Sequence, residues 1–162
     1  MAKLESQQPL LPSLVDRLID TEPDVSTEPA WRQAQSLREF EMGVLRDLEN
    51  LLNTRRVRSD LVGSDGEIAR SVLTYGLPEL TATGVGSQAE RELLRRAVEE
   101  AITRFEPRLR QVRATLHEPR NDYDRVLRLT VDGLLWVEPN PLPITFDTIV
   151  QPASGQCSVK SR

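Results

Sequence analysis

The sequence predicts an α+β domain in which two long amphipathic helices and a short N-terminal helix pack on a small, mostly antiparallel sheet. Three observations carry that prediction. Apolar residues recur every three or four positions over 37–52 and again over 93–105, the period of a helix that buries one face. After Pro107 the period drops to two, as half-buried strands require. The helical stretches come first and the strands follow, instead of alternating with them, which favours antiparallel pairing over crossover units.

The elements follow in chain order. "LLPSLVDRLID" places Leu14, Val15 and Leu18 on one helical face behind a proline suited to a first turn. "DTEPDVSTEPA" is acidic and punctuated by prolines, so residues 1–30 read as a short helix plus a flexible linker. The body, residues 31–150, reads as a single domain. It opens on the clearest helix, with Leu37, Phe40, Val44, Leu45, Leu48, Leu51 and Leu52 on one side and Arg38, Glu39, Glu41, Arg46, Asp47 and Glu49 on the other. Asn53 can cap its end. Residues 71–80, "SVLTYGLPEL", lose periodicity at Gly76 and Pro78 and are expected to wrap over the core through Leu73, Tyr75 and Leu77.

From Ser87 a capping box with Glu90 opens a second long helix whose stripe is Leu93, Leu94, Ala97, Val98, Ala101, Ile102 and Phe105. Pro107 forces it to end near Phe105. In the next strand Arg110, Val112, Ala114 and Leu116 alternate with Gln111, Arg113 and Thr115, and in the one after it Leu127, Leu129 and Val131 alternate with Arg128, Thr130 and Asp132. Asp132-Gly133 reads as a bend within one long strand, because the odd positions from Leu127 to Val137 stay in phase across it. "PITFDTIV" supplies a third strand, and residues 151–162 are expected to form a flexible tail.

Composition narrows the function. The net charge of −4 is accounted for by the first 30 residues, which carry six acids against two bases. Basic residues cluster instead at Arg104, Arg108, Arg110 and Arg113, and at Arg55, Arg56 and Arg58. These patches are short and lack interleaved aromatics, so nucleic acid is not an expected partner. One cysteine, Cys157, and one histidine, His117, give neither a disulfide nor a metal-ligand set. No cofactor is expected. No apolar run is long enough to span a membrane and no signal-peptide core is present, so the expected location is cytoplasmic, without membrane insertion.

The informative stretch is "RFEPRLRQVR", residues 104–113. A glutamate at a helix C-terminus opposes the helix dipole, so Glu106 needs a nearby cation such as Arg104 or Arg108. Two readings stay open. Glu106 and Arg108 form a local ion pair, or Pro107 fixes both at a helix-to-strand corner where they meet the charges of a partner. Arg55 and Arg56 in "LLNTRR" carry the same alternatives, a solvated basic face or a partner contact.

Five ordered segments, "SLVDRLID", "DLENLLNTRR", "SVLTYGLPEL", "FEPRL" followed by a strand, and "PITFD", span residues 13–147. In this order and spacing they resemble the TssE family, baseplate subunits of the bacterial type VI secretion system related to a wedge protein of contractile phage tails. The resemblance implies a non-enzymatic sheath initiator. Its Glu-Pro-Arg corner, here Glu106, Pro107 and Arg108, would contact the wedge subunits TssF and TssG, with Arg110, Arg113, Arg55 and Arg56 as further protein-binding residues. An open sheet edge would accept strands of the sheath subunits TssB and TssC, along Arg110–Leu116 or else within 144–150, and TssK is a further candidate partner.

A lysozyme-like glycoside hydrolase acting on peptidoglycan is the alternative, because phage relatives of the family carry that label. It would need two carboxylates flanking a scissile bond, one of them with a raised pKa. The candidates are Glu106, Glu118, Asp122, Asp124 and Asp147. Arginines around Glu106 argue against an acid role for it, and His117 alone cannot supply a triad.

Overall fold

The computed structural model describes Leu10, Asp24 and residues 14–18, 37–56, 67–78, 87–118, 126–137, 140–151 and 156–161. Their elements run α1 (Leu14–Leu18), α2 (Leu37–Asn53), two short 3-10 turns (Glu67–Arg70 and Val72–Thr74), α3 (Gln88–Phe105), β1 (Leu109–Leu116), β2 (Leu127–Leu135), β3 (Leu142–Gln151) and β4 (Gln156–Ser161). The fold is α+β. Two long helices accompany a four-stranded antiparallel sheet in the order β1-β2-β3-β4. Apart from Asp24, the acidic linker lies outside the described residues.

α2 buries Phe40, Val44, Leu48, Leu51 and Leu52, and α3 buries Leu94, Val98, Ala101 and Ile102. Both stripes meet the inner face of the sheet at Leu129, Val131, Leu135, Phe146, Val150 and Val159. Each such large side chain contributes about 1.5–3 kcal/mol by leaving water. α3 begins as expected, with the Glu90 N–H donating to Ser87 Oγ and the Ser87 N–H donating to the Glu90 carboxylate. Leu93, expected in the stripe, is exposed, as is Leu73, expected to cover the core. Leu77 is buried and Tyr75 stacks edge-on against Phe105.

The turn between these helices depends on Gly76. Its φ is +101°, and a Cβ there would lie 2.3 Å from the Thr54 carbonyl oxygen. That close approach lets the Leu77 N–H donate to Thr54 and the Arg56 N–H donate to Leu77, which ties the end of α2 to the loop. α1 is a five-residue helical segment with Val15 and Leu18 exposed. It reaches α2 through Asp16, which meets Arg46 at 2.7 Å, beside Gly43, where a Cβ would stand 3.2 Å from the Asp16 carboxylate.

β2 runs unbroken through Asp132-Gly133. The pairing of β1 with β2 shifts by one residue between Arg110 and Arg113, and Gln111 has φ 53°. This is a β-bulge, and it resets the alternation. Leu109 is buried before it, and Val112, Ala114 and Leu116 face inward after it, so Arg110 does not share their face as a strict period of two predicts.

Two expectations need correction. Residues 156–161 are not a flexible tail: β4 pairs with β3 from Gln156 opposite Gln151 to Ser161 opposite Phe146. Cys157 and Val159 bury their side chains while the residues between them face out, a short alternation that the polar composition hides. Consequently residues 144–150 cannot form an edge, because β3 is paired on both sides. Among the described strands the edges are β1 and β4.

A locked corner and two guarded edges

Glu106 caps α3, its N–H donating to the Ile102 carbonyl at 2.8 Å, with ψ at 80°, outside the helical region that a following proline disfavours. Pro107 and Arg108 complete a tight turn closed by the Leu109 N–H on the Glu106 carbonyl. The turn folds the Glu106 side chain inward. Only 4% of Glu106 is exposed, and its carboxylate takes a two-pronged contact from Arg108, Nε to Oε1 at 2.7 Å and Nη2 to Oε2 at 2.5 Å.

The pair belongs to a longer chain of charges. Arg108 Nη2 also donates to Asp47 at 2.6 Å; Asp47 accepts from Arg46, and Arg46 reaches Asp16. The charges alternate in sign from Glu106 to Asp16 and join the corner, α2 and α1. Burial disfavours the charged form of Arg108, but its bonds to Glu106 and then to Asp47 outweigh this and hold the guanidinium charged beyond its ordinary range. Its face lies 5.7 Å from the Phe40 ring centroid. The remaining fork nitrogen, Nη1, is buried and has no hydrogen-bond partner among the described residues.

Around this locked pair, Pro107 is exposed at the tip and Arg110 and Arg113 are exposed on β1. The Arg110 guanidinium sits over Trp136, 3.7 Å from its ring centroid. Arg55 and Arg56 stand apart from these, at the end of α2, where Arg55 bridges to Leu77. Arg56 lines a small cleft with Thr74, Gly76, Glu100 and Arg104. The structure thus gathers Glu106, Pro107, Arg108 and Arg110 at one corner and leaves Arg55 and Arg56 elsewhere, while Arg58 lies outside the described residues. Asp47, Arg46 and Trp136 are the corner residues that the sequence reading missed. Nothing local in "VLRDLE" points to a partner 61 residues away.

Each sheet edge is engaged at one residue by a helix side chain. On β1 the Ala114 N–H donates to Glu99 Oε1 at 2.8 Å, and the same oxygen accepts from Arg95. The His117 N–H bonds to the Arg128 carbonyl, so by the alternation of an antiparallel ladder Thr115 and Arg113 also face β2, while Ala114 and Leu116 face outward. On β4 the Asn53 amide, expected to cap α2, pairs with both the N–H and the carbonyl of Cys157. The backbone of Val159 then faces outward as well.

Of the carboxylates weighed for glycoside hydrolysis, Glu106 is bound by arginine, Glu118 is exposed, and Asp147 accepts from Thr130, whose hydroxyl also contacts His117. Asp122 and Asp124 lie outside the described residues. Among the described residues no group of three or more His, Cys, Asp or Glu could hold a metal ion, and no helix is long and apolar enough to cross a membrane.

A proline corner held by ions and strand edges guarded by side chains suit a subunit that presents rigid surfaces to neighbours without pairing indiscriminately. The family comparison agrees with that class. A family model described as baseplate wedge protein gp25 matches residues 38–140, more than half of the chain, and the chain belongs to this family. Among solved structures it is similar to a chain of "The baseplate complex from the type VI secretion system", with 21% identity, 70% of this chain and 96% of that chain covered, and a TM-score of 0.49. No curated protein matches it.

Proposed function

We propose that the protein is the TssE-type wedge subunit of a type VI secretion baseplate, a non-enzymatic part that joins the wedge subunits TssF and TssG to the first ring of the TssB and TssC sheath at the cytoplasmic baseplate, within reach of TssK. Membership of the gp25 wedge family over residues 38–140 carries this reading. The corner supports it, because Glu106 and Arg108 hold Pro107 rigidly at an exposed tip with Arg110 and Arg113 beyond it. Arg55 and Arg56 form a second contact in this proposal.

The sheath would add its strand at β4. β1 is a poor acceptor, since a bulge interrupts its pairing and Glu99 holds the Ala114 N–H. β4 is regular, and one rotatable amide guards it. Strand addition would supply affinity through main-chain hydrogen bonds.

The test is co-purification of the full chain with TssF and TssG. Removing Arg108 would strand Glu106 in the interior, so the informative change is at the exposed tip. Pro107→Glu should leave the melting curve of the chain in place and weaken wedge recovery about tenfold or more. Unchanged recovery removes the corner from the interface; failure of the unaltered chain to co-purify removes the whole reading. Incubation with peptidoglycan should release no reducing sugar, and Glu106-dependent release would restore the hydrolase.

A further inference from the structure

We propose that the outer face of the sheet beside the corner docks an acidic, partly apolar peptide segment of a partner protein, read by Arg110 and Trp136. This rests on the wedge reading, which already places Arg110 and Arg113 beyond the tip, and deepens it by giving the chemistry that Arg110 and Trp136 would meet. Among the described residues the helices pack on the inner face of the sheet. On the other face Arg110, Leu134 and Pro143 stand in one cross-strand row, and Arg113, Asp132 and Thr145 in the next. Trp136, whose N–H bonds to the Arg108 carbonyl, lies beside the first row and beneath the Arg110 guanidinium. It is 44% exposed, large for an indole with no role in the core.

The Arg110 guanidinium lies on that ring at 3.7 Å. A guanidinium stacked in this way gives its face to the indole and keeps its in-plane N–H donors for an acceptor at its edge, the geometry that a carboxylate fits. Among the described residues neither Arg110 nor Arg113 has a carboxylate partner, and Asp132 is engaged by the Thr145 hydroxyl at 2.7 Å. Asp132 opposes Arg113 in register and keeps its charge, so Arg110, Arg113 and Asp132 together leave this patch one positive charge in excess, on a chain whose net charge is −4.

The backbone is built around this placement. The extra residue in β1 lets Arg110 and Gln111 both stay exposed before Val112 turns inward. It does so with Gln111 at φ 53°, a conformation that residues other than glycine rarely adopt and that clusters at functional positions. Gly133 stands opposite, where a Cβ would come within 3.4 Å of the Arg110 carbonyl oxygen. Trp and Arg flanked by Leu134 and Pro143 have the composition of an interface centre. Two arginines beside a single aromatic do not make the tracked groove of a single-stranded nucleic acid site. A carboxylate next to an apolar side chain satisfies the whole patch.

The test uses the full chain with Trp31→Phe, which leaves Trp136 as the one indole of the two in the sequence. A peptide of repeating Glu-Leu-Glu-Gly should change Trp136 emission saturably. Binding should weaken about tenfold or more when Gln replaces Glu in the peptide, and by a similar factor in Arg110→Ala, and should not change in Arg38→Ala, an exposed arginine on α2. A circular dichroism melt checks that Arg110→Ala folds, and Arg110→Glu, tested with a Lys-Leu-Lys-Gly peptide, should restore binding by charge exchange. Equal affinity for the Gln peptide, indifference to Arg110→Ala, tighter binding of oligothymidylate, or no saturable response overturns the proposal. Wedge co-purification is scored on the Pro107 variant, so either reading can fail alone.

Discussion

The amide of Asn53 and the main chain of Cys157 hold each other by two hydrogen bonds, Cys157 N–H to Oδ1 at 2.7 Å and Nδ2 to the Cys157 carbonyl at 2.8 Å. A side-chain amide carries the same donor and acceptor as a peptide group, so Asn53 occupies the place of one residue of a neighbouring strand. Helix α2 thereby ends on the sheet and closes its edge in a single contact.

Asn53→Ala should leave both groups of Cys157 without a partner and cost about 1–3 kcal/mol in a denaturant melt. Burial pushes the Cys157 thiol above its ordinary pKa, so thiol reagents should label the native chain slowly. The variant should be labelled markedly faster, and an unchanged rate would show that Asn53 does not hold the edge shut.

Arg108→Ala is expected to destabilise the fold by about 3–5 kcal/mol, since it leaves the Glu106 carboxylate buried without its cation. The double variant Glu106→Gln with Arg108→Met should recover part of that loss. Chemical denaturation of the three proteins measures it, and a single variant as stable as the parent would make the pair ornamental.

Thr148 is 1% exposed, and its hydroxyl has no hydrogen-bond partner among the described residues. Thr148→Val keeps the shape and removes the unsatisfied group, so it should stabilise the chain by about 1 kcal/mol, read as a rise in the unfolding midpoint.

Hydrogen bonds from Arg95 and then Arg96 hold the Glu92 carboxyl down to about 2 from 4.5. The folded pKa is depressed, so whatever this surface cluster contributes is present above about 4.5 and fades as the pH falls towards 2. A carboxyl titration followed by NMR should find the low midpoint, and Arg96→Ala should move it up.

Ser87 and Glu90 show what was legible in the sequence: a capping box is local, and both of its hydrogen bonds are present. The helical stripes and β2 were legible for the same reason, since periodicity reports burial of an element against whatever lies beneath it. The bulge at Gln111 was not, because one inserted residue changes the phase without changing composition. Nor was β4, whose "QCSVKS" has only Cys157 and Val159 to mark an inner face. At the corner, Pro107 announced the turn and Arg108 the cation for Glu106, but the bond from Arg108 to Asp47 joins residues that only tertiary structure brings near.

The Asn53–Cys157 clasp spans 104 residues of sequence, whereas α3, β1 and β2 are neighbours along the chain. Closing so long a loop is entropically expensive until the intervening strands have assembled. α2 and β4 should therefore meet late in folding and part early in local opening, as a separable cooperative unit. Native-state hydrogen exchange would register this as a lower opening free energy at Cys157 than at Val131. An edge strand released in this way could be exchanged while the rest of the sheet stays intact.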